Sequence, residues 1–114
     1  MLKKANRLTK NNDFDRVFKN GRSAYTKVLG VKALNNDSPD SRFGILIGLK
    51  VSKKAVIRNR FKRQIRAVIE KELPKLRSGV DVVIIVFPLI LANNFKEVES
   101  ALVSLFKKLN LYNK

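Results

Sequence analysis

The sequence predicts an α+β protein in which one small sheet packs against helices. Three segments repeat their apolar residues at helical spacing, and the β-branched run from Val80 to Phe87 is typical of an interior strand. The chain has 114 residues, of which 45% are hydrophobic, and this suits one compact domain with a small core. We therefore expect residues 1–114 to form a single domain, with the order helix, two or three strands, helix, strand, helix.

The first helix is predicted to start at an asparagine cap, Asn11 or Asn12, and to stop at an Asn-Gly pair before residue 22. Its apolar residues follow helical spacing and form one edge, which consists of Phe14, Val17 and Phe18. Asp13 and Asp15 would lie in the first turn, where the helix dipole favours acidic side chains. We therefore interpret this close carboxylate pair as structural rather than as a set of metal ligands.

Two strand regions are predicted next, Ser23 to Leu34 and Arg42 to Val51. They are separated by a polar turn over residues 35–40, which is rich in Asn, Asp, Ser and Pro. Gly44 and Gly48 lie inside the second region. A glycine inside a strand indicates either a bulge or the close approach of another backbone.

A central helix is predicted from an N-cap at Ser52 to Leu73, because Pro74 follows and disfavours helical backbone in the preceding residue. No acidic residue lies between Asp40 and Glu70, so most of this helix is free of negative charge. Its predicted core residues keep helical spacing, and they are Ile57, Phe61, Ile65, Val68, Ile69 and Leu73. The cations flank this narrow apolar stripe, which indicates a folded basic helix rather than a solvated charged tail.

A final helix follows the last strand. Asn93 or Asn94 can cap it, and Glu97 completes a capping box if Asn94 is the cap. Its apolar residues also keep helical spacing, and they are Phe95, Val98, Ala101, Leu102, Leu105, Phe106 and Leu109. The tail over residues 111–114 is expected to fray.

The charge of the chain is strongly positive, since 25 Lys and Arg against 9 Asp and Glu give a formal net charge of +16. Such an excess favours a polyanionic partner, with nucleic acid as the usual one and an anionic membrane surface as the lesser alternative. The longest apolar run is broken by Pro88 and is too short to span a bilayer, and the N-terminus lacks the apolar stretch of a signal peptide. We therefore expect no membrane partner. The absence of Cys fits a reducing compartment, so we expect the protein to be cytoplasmic.

Acid–base catalysis by side chains of this protein is not expected. The chain has no His, the commonest general base, and no Cys to form a thiolate metal site. The helix-borne pairs Glu70/Glu72 and Glu97/Glu99 are expected to be solvated. We therefore predict no catalytic residue, no metal site and no small-molecule substrate.

Phosphate binding is the chemistry that the central basic segment favours. Lys and Arg side chains neutralise phosphates, and the planar fork of arginine adds bidentate geometry. Asn59 either contacts a base edge or sugar hydroxyl, or only caps a helical turn. The predicted RNA-binding residues are Lys50, Lys53, Lys54, Arg58, Asn59, Arg60, Lys62, Arg63 and Arg66.

Phe14 and Phe18 indicate a second site. Aromatic rings beside basic residues can stack the bases of a single strand. The nearby positive charge would come from Arg16, Lys19, Lys27 and Lys32. The alternative is that both rings belong to the core.

The segment K-V-S-K-K-A-V-I-R-N-R-F-K-R-Q-I-R, residues 50–66, resembles the arginine-rich signature of the protein subunit of bacterial ribonuclease P. The resemblance covers essentially the whole chain. Its further matching positions are Arg7-Leu8, Asp13-Phe14, Val17-Phe18, Gly21-Arg22 and Arg42-Phe43-Gly44.

This resemblance implies an α-β-β-β-α-β-α fold with a small, mostly antiparallel sheet. It also implies a βαβ crossover that is left-handed, whereas the right hand is the general default for such connections.

The resemblance further implies a subunit of a ribonucleoprotein that removes the 5′ leader of precursor tRNA. The RNA subunit would carry out the hydrolysis with Mg²⁺, bound mainly by that RNA, and the protein would bind the RNA through its basic helix. The leader would lie in a cleft between the N-terminal helix and the sheet, lined by Phe14, Phe18, Tyr25, Lys27 and Lys32. A ribosomal or RNA-chaperone protein without a catalytic holoenzyme is the alternative, because basic content alone fits both.

Three positions depart from the family pattern. Lys32 stands where an aromatic residue is common in the strand of the cleft, and Tyr25 compensates if its ring faces the cleft. Leu49 stands at a position that is commonly basic, and Phe87 stands where an Arg is common after the last strand. We expect these departures to change individual contacts and not the family assignment.

Overall fold

The computed structural model describes residues 2–113, which form a four-stranded sheet with helices on both faces. The strands are β1 (Arg22–Tyr25), β2 (Leu29–Asn35), β3 (Arg42–Leu46) and β4 (Val80–Val86). The helices are α1 (Asn11–Asn20), α2 (Ala55–Glu72) and α3 (Phe95–Lys108). The predicted order α-β-β-β-α-β-α is therefore confirmed. The two ends of the predicted domain, residues 1 and 114, lie outside the described residues.

The strand order in the sheet is β1-β2-β4-β3. β1 pairs with β2 and β2 with β4 in antiparallel fashion, whereas β3 and β4 are parallel. The mostly antiparallel sheet is thus confirmed, and β3-α2-β4 is the expected βαβ unit. The left hand of this crossover stays a prediction.

The central position of β4 explains its nearly continuous β-branched sequence. Val82 and Ile84 belong to the large core that α2 and α3 form on one face of the sheet, whereas Val83 packs with Leu8 and Val17 under α1 on the other face. Successive side chains of a strand point to opposite faces, so a strand covered on both sides is apolar at nearly every position. Asp81 is the exception, since it is charged and fully buried.

The predicted strand from Ser23 to Leu34 is wrong in one respect, because a tight turn divides it into β1 and β2. The Thr26 hydroxyl accepts hydrogen bonds from the backbone N–H groups of Val28 and Leu29, and the Thr26 N–H donates to the Leu29 carbonyl. A threonine side chain thus replaces the Gly, Pro or Asn that commonly marks a turn.

The predicted helix cap is confirmed for α3 and wrong for α1 and α2. α1 begins at Asn11 with Lys10 before it, so neither Asn11 nor Asn12 is its cap. The capping box of α3 is confirmed, since Asn94 Oδ1 accepts from the Glu97 N–H and Glu97 Oε1 accepts from the Asn94 N–H. The predicted cap of α2 is wrong, because Ser52 caps only the Lys54 N–H and the helix begins at Ala55. β3 also ends at Leu46, short of the predicted Val51, since a turn follows it.

The C-terminal tail was expected to fray, and this expectation is wrong for its described part. Leu111 is 2% exposed, and Tyr112 forms a β-bridge with Leu76. The Tyr112 hydroxyl also donates a 2.8 Å hydrogen bond to Glu72 Oε1. Apolar burial and this hydrogen bond hold residues 111–113 against the end of α2.

Candidate RNA interface

The predicted RNA-binding residues lie in the loop before α2 and along that helix, and we call them the α2 basic surface. The helix buries Phe61, Ile65, Val68 and Ile69 and thereby turns its remaining sides to solvent. Most members of the surface are exposed, and only Arg58 and Lys62 are half-buried. The full set is Lys50, Lys53, Lys54, Arg58, Asn59, Arg60, Lys62, Arg63 and Arg66.

Two arginines of the α2 basic surface are held by contacts within the protein. Arg58 Nη1 donates a 2.8 Å hydrogen bond to the Ser52 carbonyl and so ties the preceding loop to the first turn of α2. The Arg60 guanidinium lies 5.0 Å from the centroid of the Phe61 ring, in a cation–π arrangement. Both contacts leave donors of the guanidinium groups available, since an arginine carries five N–H donors.

The sheet face on which α1 packs is covered only in part. The register places Tyr25 opposite Gly30, Gly30 opposite Ile85 and Ile85 opposite Leu46, so these residues form one row across the four strands. Tyr25 and Leu46 are exposed, which shows that α1 leaves the two ends of this row open. We call the open region the sheet cleft, and its residues are Phe18, Tyr25, Lys32, Leu46, Ile85 and Phe87.

Phe18 and Lys32 meet at the α1 side of the sheet cleft. The Lys32 ammonium lies 5.2 Å from the centroid of the Phe18 ring, and 38% of Phe18 is exposed. The core alternative is therefore wrong for Phe18. Lys32, which departs from the family pattern, therefore contacts Phe18, one of the aromatic residues predicted to line the cleft.

Tyr25 faces the sheet cleft, as its compensating role requires, and its ring partner was not predicted. The rings of Tyr25 and Phe87 are stacked, with centroids 6.3 Å apart and planes at 28°. Phe87 occupies the position at which Arg is common in the family. Lys27 lies exposed in the turn between β1 and β2, and among residues 2–113 it makes no ring contact or ion pair.

Phe14 is half-buried and serves mainly to pack α1 on the sheet. Its ring lies directly over Gly44, where a Cβ atom would collide with it, and this explains the glycine in β3 as a close approach by a ring. Phe14 also lines a pocket of about 150 Å³ together with Arg7, Lys62 and Arg66. Residues of α1 and of the α2 basic surface therefore line the same pocket.

A buried ionic network fixes α1 to the sheet, and sequence reasoning missed it. Asp81 is fully buried and accepts hydrogen bonds from Arg42 at 2.8 and 2.7 Å, from Arg16 at 2.9 Å and from Asn36 at 2.7 Å. Burial opposes ionisation of Asp81, but the hydrogen bonds from Arg42 and Asn36 outweigh it and hold the pKa of this carboxyl below its usual range. Asp13 joins the network through Arg42 at 3.2 Å, which agrees with its structural interpretation.

One predicted solvated carboxylate is buried instead. Glu72 is 7% exposed, and it accepts the hydrogen bond from Tyr112 and lies 3.6 Å from Lys75 Nζ. Burial and the negative charge of Glu72 raise the pKa of Tyr112 well above its usual range. The contacts of Glu72 hold the C-terminal segment, which gives this carboxylate a structural role.

Neither a metal cluster nor a membrane span is found in the part of the chain that the structure describes. Among residues 2–113, no three Asp or Glu side chains converge in a way that could hold a metal ion. No helix in the same range is long and apolar enough to cross a membrane.

The family model for ribonuclease P matches residues 2–110 of this chain. The chain belongs to the ribonuclease P protein family. Curated relatives are the ribonuclease P protein components of Synechocystis sp., 43% identical over 94% of this chain and 87% of the relative, and of Microcystis aeruginosa, 40% identical over 96% and 95%. The chain is therefore similar to these proteins over nearly its whole length.

Solved structures of ribonuclease P proteins share the fold. The protein from Staphylococcus aureus superposes with a TM-score of 0.89 at 28% identity, covering 96% of this chain and all of that one. The protein from Thermotoga maritima superposes with a TM-score of 0.81 at 29% identity, covering 90% and 96%. The resemblance inferred from the basic segment is confirmed. This ribonuclease P protein is a subunit of a tRNA-processing ribonucleoprotein and has an RNA partner there.

Proposed function

We propose that this ribonuclease P protein is a single RNA-binding domain that holds two RNA elements at once. The α2 basic surface would bind the catalytic RNA subunit, and the sheet cleft would bind the 5′ leader of precursor tRNA. The holoenzyme would act in the cytoplasm and cleave the leader to give the mature 5′ end of tRNA. The observation that supports this best is that α2 packs on one sheet face while the sheet cleft opens on the opposite face.

Electrostatics favours the assignment of the α2 basic surface to a folded RNA. Its side chains are cations on a rigid helix, and each phosphate that they neutralise releases counterions. Binding should therefore weaken steeply with salt. The logarithm of the binding constant should fall linearly with the logarithm of the salt concentration, with a slope of roughly 0.9 for each phosphate contact to a duplex region. Asn59 is exposed between two arginines and is available for a base edge or a sugar hydroxyl.

The sheet cleft suits a single strand better than a duplex. It offers aromatic rings on a flat strand surface, with a cation beside one of them. Unpaired bases stack on such rings whatever their sequence, whereas the bases of a duplex are already stacked on one another. A leader that is single-stranded fits this surface, and mature tRNA, which lacks a leader, would leave it empty.

Hydrolysis is assigned to the RNA subunit together with Mg²⁺. The described carboxylates of this protein are dispersed or engaged in ion pairs, as Asp81 is with Arg42 and Glu72 with Lys75, and they do not fit a magnesium site. The metal would accordingly be held by RNA phosphates and would activate the attacking water there. The protein contributes binding and positioning, which raise the fraction of substrate in the reactive arrangement.

Reconstitution tests this proposal. The protein is mixed with a bacterial ribonuclease P RNA at low Mg²⁺, and cleavage of precursor tRNA is followed with and without the protein. We expect stimulation of cleavage, and tighter binding of precursor tRNA than of mature tRNA. Absence of stimulation, together with tight binding to ribosomal RNA, would instead favour a ribosomal or RNA-chaperone role.

A further inference from the structure

Two aromatic rings outside the core form a fixed pair in the sheet cleft. Tyr25 is 49% exposed and Phe87 is half-buried, and their rings stack at 6.3 Å between centroids. Neither ring packs against the two core clusters of the described residues, so core packing does not explain their arrangement.

Gly30 creates the space that this ring pair occupies. A Cβ atom at Gly30 would lie 2.7 and 2.8 Å from two carbons of the Tyr25 ring and 3.3 Å from Phe87 Cζ. The absence of that atom lets the Tyr25 ring lie against the backbone of β2. An aromatic ring that shields a strand glycine is a known stabilising arrangement, and Tyr25 provides most of this cover, with Phe87 at its edge.

Phe87 is held in place by its backbone. Its N–H donates a 3.0 Å hydrogen bond to the Val28 carbonyl, in the turn between β1 and β2. Tyr25 is held by its pairing with Gly30 in the sheet. Both rings therefore start from fixed backbone positions, and little conformational entropy is lost when a ligand stacks on them.

The Tyr25–Phe87 pair is separate from the Phe18–Lys32 contact. Gly30 and Lys32 are two residues apart on β2, so the two places lie roughly 7 Å apart along the strand. Stacked bases repeat about every 3.4 Å along a strand, so the two places suit different nucleotides of one bound segment. Lys32 supplies a positive charge beside Phe18. Lys27 is exposed in the same turn as Val28, whose carbonyl accepts the hydrogen bond from the Phe87 N–H.

We propose that Tyr25 and Phe87 form a composite stacking platform for one unpaired nucleobase of the RNA strand bound in the sheet cleft. The proposal rests on the proposed function, because it takes the leader as the strand. It assigns a binding role to Phe87 and makes Gly30 the residue that permits the platform. The aromatic contact, which the family pattern puts at the position of Lys32, would here be made by Tyr25 at the end of β1 and by Phe87 just after β4.

The test combines protein variants with leaders that lack a single base. Tyr25→Leu and Phe87→Leu keep apolar volume but remove the flat ring, and Tyr25→Phe keeps the ring as a matched control. The holoenzyme is reconstituted with each variant, and its affinity is measured for precursor tRNAs that carry one abasic nucleotide at successive leader positions. Mature tRNA serves as the leaderless control, and thermal unfolding checks that each variant is folded.

We expect each leucine variant to weaken binding of intact precursor tRNA by about 5- to 150-fold, the range for one stacked base. The loss should be smaller for mature tRNA than for precursor tRNA, and Tyr25→Phe, which keeps the ring, should recover most of the affinity that Tyr25→Leu loses. One abasic position should weaken binding to the unmodified protein and have no further effect on the leucine variants. Additive losses at every position, or unchanged affinity of both leucine variants, would refute the platform. The proposed function would survive that result as long as the unmodified holoenzyme still prefers precursor tRNA over mature tRNA.

Discussion

Asp81→Asn is the substitution that most directly tests how α1 is held at the sheet cleft. The Asp81 carboxylate is fully buried and receives charged hydrogen bonds from Arg42 of β3 and Arg16 of α1. The amide keeps the shape but loses the charge, and its NH₂ group would face the donors of these arginines. Removing one partner of a buried ion pair costs about 3–5 kcal/mol, because the other partner stays uncompensated.

The exposure of the two arginines decides which end of that range applies. The side chains of Arg16 and Arg42 are 42% and 26% exposed, so both recover contacts with water when Asp81 is neutralised. We therefore expect a loss of about 3 kcal/mol in the free energy of unfolding. For a domain of this size, with roughly 4 °C per kcal/mol, Tm should fall by about 12 °C.

The pH dependence gives a second, independent readout. The pKa of Asp81 is lowered in the folded state, so its contribution to stability is present above the unfolded value of about 3.9 and is lost as the pH falls through the folded pKa. The difference in the free energy of unfolding between the unmodified protein and Asp81→Asn should thus be constant from about pH 5 to 7. It should become smaller below about pH 4.

Urea unfolding followed by circular dichroism measures both effects. Asp37→Asn is the matched control, since it removes the same charge from an exposed residue of the turn before β3. We expect the control to change stability by less than about 0.5 kcal/mol. A similarly small effect of Asp81→Asn at pH 7, or a difference that does not depend on pH, would refute the role of the network.

Three further predictions concern α2, α1 and α3. Arg60→Ala should weaken binding of the catalytic RNA by about 1–3 kcal/mol and reduce the salt slope by about 1, whereas Lys96→Ala, an exposed cation on α3, should change neither in the same titrations. Phe14→Ala should lower the free energy of unfolding by about 2 kcal/mol, less than a fully buried Phe would cost, and a melting curve that does not move would show that its ring contributes nothing to packing on the sheet. Asn94→Ala should cost about 1 kcal/mol by removing the α3 cap, and calorimetry of this variant measures that loss directly.

Local chemistry explains which elements of the fold were predictable. The α3 capping box uses residues three positions apart, and β4 is apolar at every position except Asp81 because helices pack on both faces of the sheet. Such features are encoded within a short window of sequence. The break between β1 and β2 was missed, because the turn depends on the Thr26 hydroxyl, and threonine is equally common inside strands.

Long-range contacts explain what was missed in the candidate site. Arg16 and Arg42 meet Asp81 across 65 and 39 positions of the chain, and no local pattern encodes such partners. One signal did exist, since a single acid in an apolar strand is buried and therefore needs cations around it. The acid-free span of α2, by contrast, could be seen in the sequence because all of its residues lie in one segment.

Two of the three residues that differ from the family pattern, Lys32 and Phe87, lie in the sheet cleft. Phe87, considered alone, is a lost cation, and Lys32, considered alone, is a lost aromatic ring. The structure pairs Phe87 with Tyr25 and Lys32 with Phe18, so each departure has an aromatic neighbour from another element. The cleft therefore keeps both a stacking surface and a positive charge, with their positions exchanged. Replacing Lys32 with an aromatic residue alone, or Phe87 with Arg alone, should therefore weaken binding of the leader. The two replacements together should recover it.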